Sequence, residues 1–213
     1  MKIFQTAVGM LGTNCYLLVS GNEAAIVDPG ASGDRVITFA DKICGEQVKV
    51  KYVLLTHGHF DHIGAVAEVK AYYGAALCIH EEDADRLVDP DKYDRYFARV
   101  KPIEGGADRL LKDGDTISLG DENIDVIHLP GHTPGGVAYR CGDILITGDT
   151  LFHGDIGRTD LAGGDQKLLM KSLAKLARLE GDYVIYPGHE EGSTLNEERA
   201  YNLYMREAVR RGL

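Results

Sequence analysis

Seven consecutive residues, Thr56-His57-Gly58-His59-Phe60-Asp61-His62, place three imidazoles and a carboxylate at the end of the apolar run from Val50 to Leu55. A cluster this dense at a strand end is hard to explain except as a metal site. On an extended loop alternate residues project the same way, so His57, His59 and Asp61 are expected to converge while His62 aims at a neighbouring point. That arrangement suits two adjacent ions. Neutral imidazole and carboxylate oxygen are ligands that Zn²⁺ and related divalent ions accept, and one short motif cannot fill two coordination shells.

Further ligands must come from elsewhere in the chain, and three candidates stand where apolar strands run out: His132 in Leu129-Pro-Gly-His-Thr-Pro, Asp149 in Thr147-Gly-Asp-Thr-Leu, and His189 in Tyr186-Pro-Gly-His-Glu. Each follows a glycine, which lets the backbone turn sharply and admits a crowded side chain. Five of the eight histidines thus occupy motif positions. His80, His128 and His153 read as ordinary structural histidines, although His153 is close enough to Asp149 in sequence to stand behind a ligand.

A chain of 213 residues with 44% apolar content can bury a core as one domain spanning 1–213. Its net charge of -10 disfavours a phosphate backbone, so nucleic acid is not an expected partner. No apolar run is long enough to span a bilayer and the N-terminus does not read as a signal peptide, so a cytoplasmic protein with no membrane partner is expected. Cys15, Cys44, Cys78 and Cys141 lie far apart without metal-ligand spacing and read as reduced, buried thiols.

Strands are expected over Lys2 to Val8, Cys15 to Ser20 and Ala24 to Val27 with Gly-Thr-Asn and Gly-Asn turns, then at Val50 to Leu55 and Ala75 to His80. More follow near Ile117, at Ile124 to His128, Gly136 to Arg140, Ile144 to Ile146 and Tyr183 to Tyr186. Helical periodicity runs over Asp34 to Ile43, Ile63 to Tyr73, Gln166 to Leu179 and Leu195 to Arg210, and helical turns broken at Pro90 are expected over Glu81 to Arg99. Strand groups alternating with helices predict two sheets with helices packed outside.

The order HxHxDH, GHT, GDTLF and YPGH, preceded by Ile26-Val27-Asp28-Pro29-Gly30, resembles the metallo-β-lactamase superfamily over nearly the whole chain. The resemblance implies an α/β fold, an αββα sandwich of two mixed sheets. It implies two divalent metal ions per chain, zinc first with iron or manganese as alternatives. One would be held by His57, His59 and His132, the other by Asp61, His62 and His189. Asp149 would bridge them, and Asp28 would be a buried support for the metal loop. An aspartate at the bridging position is similar to glyoxalase II and related hydrolases, whereas the antibiotic-hydrolysing branch typically carries cysteine or serine.

Within the family the run Gly148-Asp-Thr-Leu-Phe-His-Gly-Asp-Ile-Gly-Arg-Thr-Asp-Leu looks like the short glyoxalase II-like enzymes. The expected activity is hydrolysis of a small acyl thioester such as S-lactoylglutathione by a metal-bound hydroxide. Asp61 would combine metal binding with a catalytic role, orienting the nucleophile or accepting a proton. Two departures qualify the likeness. Only 24 residues follow His189, fewer than the helical extension that grips glutathione in glyoxalase II, and Asp160 and Glu191 stand where its aromatic substrate contacts lie. Arg158 alone matches a substrate-binding counterpart, with an ion pair to Asp155 or Asp160 as its other reading. The same Gly157-Arg-Thr-Asp run also resembles iron-dependent persulfide dioxygenases, in which His57, His132 and Asp149 would form a facial triad. A binding protein that kept the fold without catalysis would usually have lost a ligand, and here every ligand position is filled. The sequence leaves the oligomeric state open.

Overall fold

The computed structural model describes residues 1–94 and 100–213, the side chains of Asp91 and Asp94 excepted. The first sheet holds β1 (Lys2–Val8), β2 (Thr13–Ser20), β3 (Glu23–Val27), β4 (Lys49–Leu54), β5 (Ala76–His80) and β6 (Arg109–Leu111), in that spatial order. Its first three strands form an antiparallel meander, and β3 to β6 run parallel. The second sheet runs β7 (Thr116–Leu119), β8 (Glu122–His128), β9 (Val137–Cys141), β10 (Ile144–Gly148), β11 (Val184–Pro187) and β12 (Ser193–Thr194). It is antiparallel except for the parallel pair β10 and β11.

Helices α1 (Gly33–Cys44), α2 (Phe60–Ile63), α3 (Val66–Tyr73), α4 (Asp85–Val88) and α5 (Asp91–Asp94) belong to the first half of the chain. Helices α6 (Gln166–Ala177), α7 (Leu195–Tyr201) and α8 (Leu203–Arg210) belong to the second. A 3₁₀ turn, Glu81–Asp83, precedes α4. The tail of the expected helical stretch, 95–99, lies outside the described residues.

Period-two patterning explains the layers. In β2 the neighbours Tyr16 and Leu18 point between the sheets, where they meet Ile117, Ile124, Val126 and Tyr139, while Cys15 and Leu17 point outward to Val36 and Ala40 of α1 and Val66 and Val69 of α3. On the far side Leu145 and Ile185 pack against Leu169, Leu173 and Leu176 of α6 and Met205 of α8. Both faces of each central strand are covered, which is why β2 and β10 read as almost continuous apolar runs. The αββα expectation is thereby met.

Several boundaries differ from the sequence reading. The Gly-Thr-Asn segment is only partly a turn, because Thr13 and Asn14 already pair with Val8 and Ala7. The helix expected from Ile63 breaks at Gly64 and Ala65, where the Ala65 amide donates to the Pro29 carbonyl at 2.9 Å. The terminal helix breaks at Asn202, whose ψ of 114° is extended and whose side chain accepts from Tyr204 N and Met205 N at the start of α8. The strand β6 carries no signal of its own in sequence: three residues long, it pairs with β5 at the sheet edge.

Candidate metal centre

Every motif loop leaves its sheet on the same side. Asp28 follows β3, the His57–His62 segment follows β4, His132 follows β8, Asp149 follows β10 and His189 follows β11. Parallel strands deliver their carboxyl ends to one rim, where α/β proteins place ligands. Backbone hydrogen bonds stitch these loops together: Val137 N donates to Thr56 O at 2.8 Å, Gly188 N to Gly148 O at 2.9 Å and Asn14 N to Gly188 O at 2.7 Å.

The side chains gather in two halves. In one, the nitrogens of His57, His59 and His132 converge, with His59 Nδ1 and His132 Nε2 2.8 Å apart. In the other are Asp61, His62 and His189: Asp61 Oδ2 stands 3.2 Å from His189 Nε2 and 3.6 Å from His62 Nε2. Asp149 reaches both, with Oδ2 3.5 Å from His132 Nε2 and Oδ1 3.4 Å from His62 Nε2. The extended-loop expectation for Asp61 is corrected here. The chain leaves the extended conformation after His59 and enters α2, so Asp61 and His62 project from a helical turn and Asp61 groups with His62 rather than with His57 and His59.

The donor set fits divalent ions. His57 Nε2 and Asp149 Oδ1 are buried and make no hydrogen bond, a costly state for polar atoms unless something else binds them. Burial, and then the neighbouring His62, His132 and His59 rings, hold His57 well below the ordinary histidine range. Burial with His132 and Arg86 does the same for His59, and burial lowers His132. Neutral imidazoles offer their lone pairs to a metal. In the other half burial is outweighed: the Asp149, Asp61 and Asp28 carboxylates push His62 up to about 9. Hydrogen bonds from the His189 ring to the Asp149 and Asp61 carboxylates likewise overcome burial and push His189 up to about 10. The carboxylates respond in kind. Against burial, His62 and His189 bring Asp149 down to about 2 and hold Asp61 far below the usual carboxylate range. Without an ion, protons neutralise this half.

Supporting contacts set which nitrogen faces the centre. Asp28, at φ 50° and almost fully buried, accepts from Thr56 N at 2.8 Å and Thr56 Oγ1 at 2.6 Å, and its Oδ2 lies 2.9 Å from His62 Nδ1. The Arg158 carbonyl is 2.7 Å from His132 Nδ1, and the Leu11 carbonyl 3.1 Å from His189 Nδ1. Gly188 is required by space, since a Cβ there would sit 1.9 Å from Asp149 Oδ1 and 2.9 Å from His62 Cε1.

The Arg158 guanidinium lies at the mouth of the site but forms a two-point pair with Asp160, both contacts 2.7 Å, on an exposed surface. His153 faces Glu191 at 3.3 Å on the surface rather than standing behind Asp149. His80 and His128 stack face to face with centroids 3.9 Å apart, away from the centre. The four cysteines are free and buried. Sequence reasoning missed Thr13, whose hydroxyl donates to Asp61 Oδ2 at 3.2 Å, and Asn14, whose amide donates to the Pro187 and Glu190 carbonyls. It also missed Asp83 and Arg86, buried charges hidden in a polar, helical-looking stretch. Two buried polar residues opening an apolar strand were a usable signal for the first pair.

The centre opens into a cavity of about 440 Å³ walled by Leu11, Phe60, Phe152, Ile156 and Leu161. A groove of about 650 Å³ adjoins it, sharing Leu11, Phe60 and Asp61. No described helix is long and apolar enough to cross a membrane.

Comparison with known proteins agrees with this geometry. The metallo-beta-lactamase superfamily model matches residues 8–189. The hydroxyacylglutathione hydrolase GloC of Haemophilus influenzae is 34% identical, over 90% of this chain and 92% of that protein. Among solved structures, the BLEG-1 B3 metallo-beta-lactamase superposes with a TM-score of 0.88 at 35% identity, covering 96% of this chain and 99% of that one. TTHA1623 in a di-iron-bound form gives 0.83 at 32% identity, covering 94% and 99%. With the matched model spanning the whole motif set from the first sheet to His189, the chain belongs to the metallo-β-lactamase superfamily of metal-dependent hydrolases.

Proposed function

We propose that the protein, as one domain over 1–213, is a glyoxalase II-like thioesterase acting on a small acyl thioester. The observation that carries this reading is an aspartate, Asp149, reaching both halves of the centre in a chain 34% identical to a hydroxyacylglutathione hydrolase. His57, His59 and His132 would hold one divalent ion, Asp61, His62 and His189 the other, and Asp149 would contact both. When bound, such ions acidify a water and polarise the carbonyl under attack.

The chain's own groups supply the rest. Asp61, oriented by the Thr13 hydroxyl and held ionised by His62 and His189, would orient the attacking water or accept its proton. The apolar wall of Leu11, Phe60, Phe152, Ile156 and Leu161 seats the acyl group and keeps bulk water out. A thiolate leaving group needs no strong acid. Arg158, at the mouth, would meet an anionic group on the thiol side once released from Asp160.

The likeness to BLEG-1 favours a second reading, β-lactam hydrolysis on the same centre. The di-iron form of TTHA1623 makes iron as well as zinc a metal to be measured. Elemental analysis of the purified protein, paired with assays on S-lactoylglutathione, a penicillin and a persulfide before and after chelation, separates the readings. About two ions per chain with chelator-sensitive thioester hydrolysis is the expected result. Turnover of the penicillin alone, or a single iron with oxygen uptake on the persulfide, would overturn it.

A further inference from the structure

Asp83 is fully buried, outside all four ligand motifs, yet it touches the backbone of two of them. Its Oδ2 accepts from Gly58 N at 2.9 Å, between His57 and His59, and its Oδ1 accepts from Gly135 N at 2.8 Å, three residues past His132. One carboxylate therefore spans the two loops that supply the His57, His59 and His132 imidazoles. The fit is close on both sides. A Cβ on Gly135 would lie 2.6 to 2.8 Å from Asp83 N, Cβ and Cγ, and one on Gly58 would lie 2.6 Å from Arg86 Cδ. Glycine at both positions is what lets the Asp83–Arg86 segment press against the loops.

Arg86 continues the connection. Fully buried, it lies 3.6 Å from Asp83 Oδ1 and donates from Nη2 to the Ala162 carbonyl, in the loop that carries Arg158. Its guanidinium stacks on the Tyr93 ring at 4.4 Å. A buried ion pair contributes little net stability by itself. A buried carboxylate shared by two amides of different loops does something else: it sets their separation. The two loops share one backbone hydrogen bond, Val137 N to Thr56 O, at their strand ends, and Asp83 joins them a second time, nearer the imidazoles, through Gly58 and Gly135.

We infer that Asp83 is a positioning residue that holds the His57–His59 loop and the His132 loop at metal-binding distance, so that it tunes the affinity of that half of the centre and not of the Asp61, His62 and His189 half. The inference rests on the proposed reading that these residues hold metal. Outer contacts that orient ligands typically govern roughly 10- to 100-fold in metal affinity.

The test is zinc affinity by competition with a chromophoric chelator, in two backgrounds. In His189→Ala, which keeps the His57 half, Asp83→Asn weakens zinc binding by roughly 10- to 100-fold. In His59→Ala, which keeps the other half, Asp83→Asn leaves zinc affinity unchanged. Asparagine leaves Arg86 without its charge partner, so Asp83→Asn with Arg86→Gln is measured alongside; it restores the melting temperature of the metal-free protein without restoring zinc affinity. Equal weakening in both backgrounds, or recovery of affinity in step with melting temperature, would mean a merely structural role and overturn the inference. Failure of the unsubstituted chain to bind zinc would overturn the proposed function with it, whereas two tightly bound ions indifferent to Asp83→Asn would overturn this inference alone.

Discussion

Asp28 Oδ2 lies 2.9 Å from His62 Nδ1, beneath the metal loop, and so turns the other nitrogen of that ring toward Asp61, Asp149 and His189. The same carboxylate takes both donors of Thr56, the residue that opens the HxHxDH segment. One buried side chain thus anchors Thr56 at the start of the loop and aims His62, the ligand candidate at its other end.

Replacing that carboxylate tests the arrangement. Asp28→Asn keeps a residue that tolerates φ 50° but swaps one acceptor for a donor. We expect a loss of about 1–3 kcal/mol in stability from the unsatisfied buried groups. Zinc affinity should also fall by roughly 10- to 100-fold. Urea denaturation and metal titration report the two effects, and wild-type metal affinity in this variant would show that Asp28 is only a turn former.

His59→Ala removes the imidazole whose Nδ1 lies 2.8 Å from His132 Nε2 in the first half of the centre. Turnover should be abolished and metal binding weakened by more than the roughly 100-fold that a supporting residue commands. Unchanged catalysis in His59→Ala would sink the assignment of this centre.

Gly188→Ala places a methyl 1.9 Å from Asp149 Oδ1. Overpacking of this kind costs about 1–3 kcal/mol. The displaced atoms belong to the carboxylate between the two halves, so metal content should drop from about two ions toward one, a result read directly by elemental analysis. Full occupancy would mean that the loop shifts freely.

Charge coupling predicts how the metal-free protein responds to pH. His62 and His189 have folded-state values raised from 6.5 to about 9 and about 10, so the stability they contribute is complete below 6.5 and disappears as pH climbs through 9 and 10. Asp149 runs the other way: lowered from 3.8 to about 2, it stabilises above 3.8 and ceases to do so as pH falls toward 2. Chelated protein should therefore resist urea best between these limits and weaken from pH 7 to 10, while added zinc, which displaces the same protons, should bind more tightly over that rise. A metal-free denaturation midpoint that increases from pH 7 to 9 would contradict this coupling.

Arg158→Ala should leave stability within about 1 kcal/mol, since its pair with Asp160 is exposed. If the guanidinium receives an anionic thiol, KM rises with kcat little changed. Equal kinetics for the variant and the parent would confine Arg158 to its surface ion pair and leave only its backbone carbonyl, which meets His132, with a part in the site.

Much of the site could be read from the linear chain. His57, His59, His132, Asp149 and His189 were legible as candidates because each stands past an apolar strand beside a glycine, and Asp61 and His62 because they share the dense run with His57 and His59; these signals are local. The layered fold was legible for the same reason: period-two and helical patterning are properties of neighbouring residues. What local pattern did not carry was grouping. Asp61 looked set to join His57 and His59 until the chain entered a helical turn at Phe60, where Asp61 accepts from the Thr13 hydroxyl at the start of β2, a contact that no spacing encodes.

The sequence by itself determined the chemistry available, a set of imidazoles and carboxylates on strand-end loops, because residue type and short-range spacing are written in consecutive positions. The tertiary structure alone decided which nitrogen each ring presents, that Asp149 reaches both halves, and that Asp83 joins two ligand loops. Each of these depends on burial and on hydrogen bonds between residues tens of positions apart, and the energy of such contacts exists only once the two sheets have closed on their shared core.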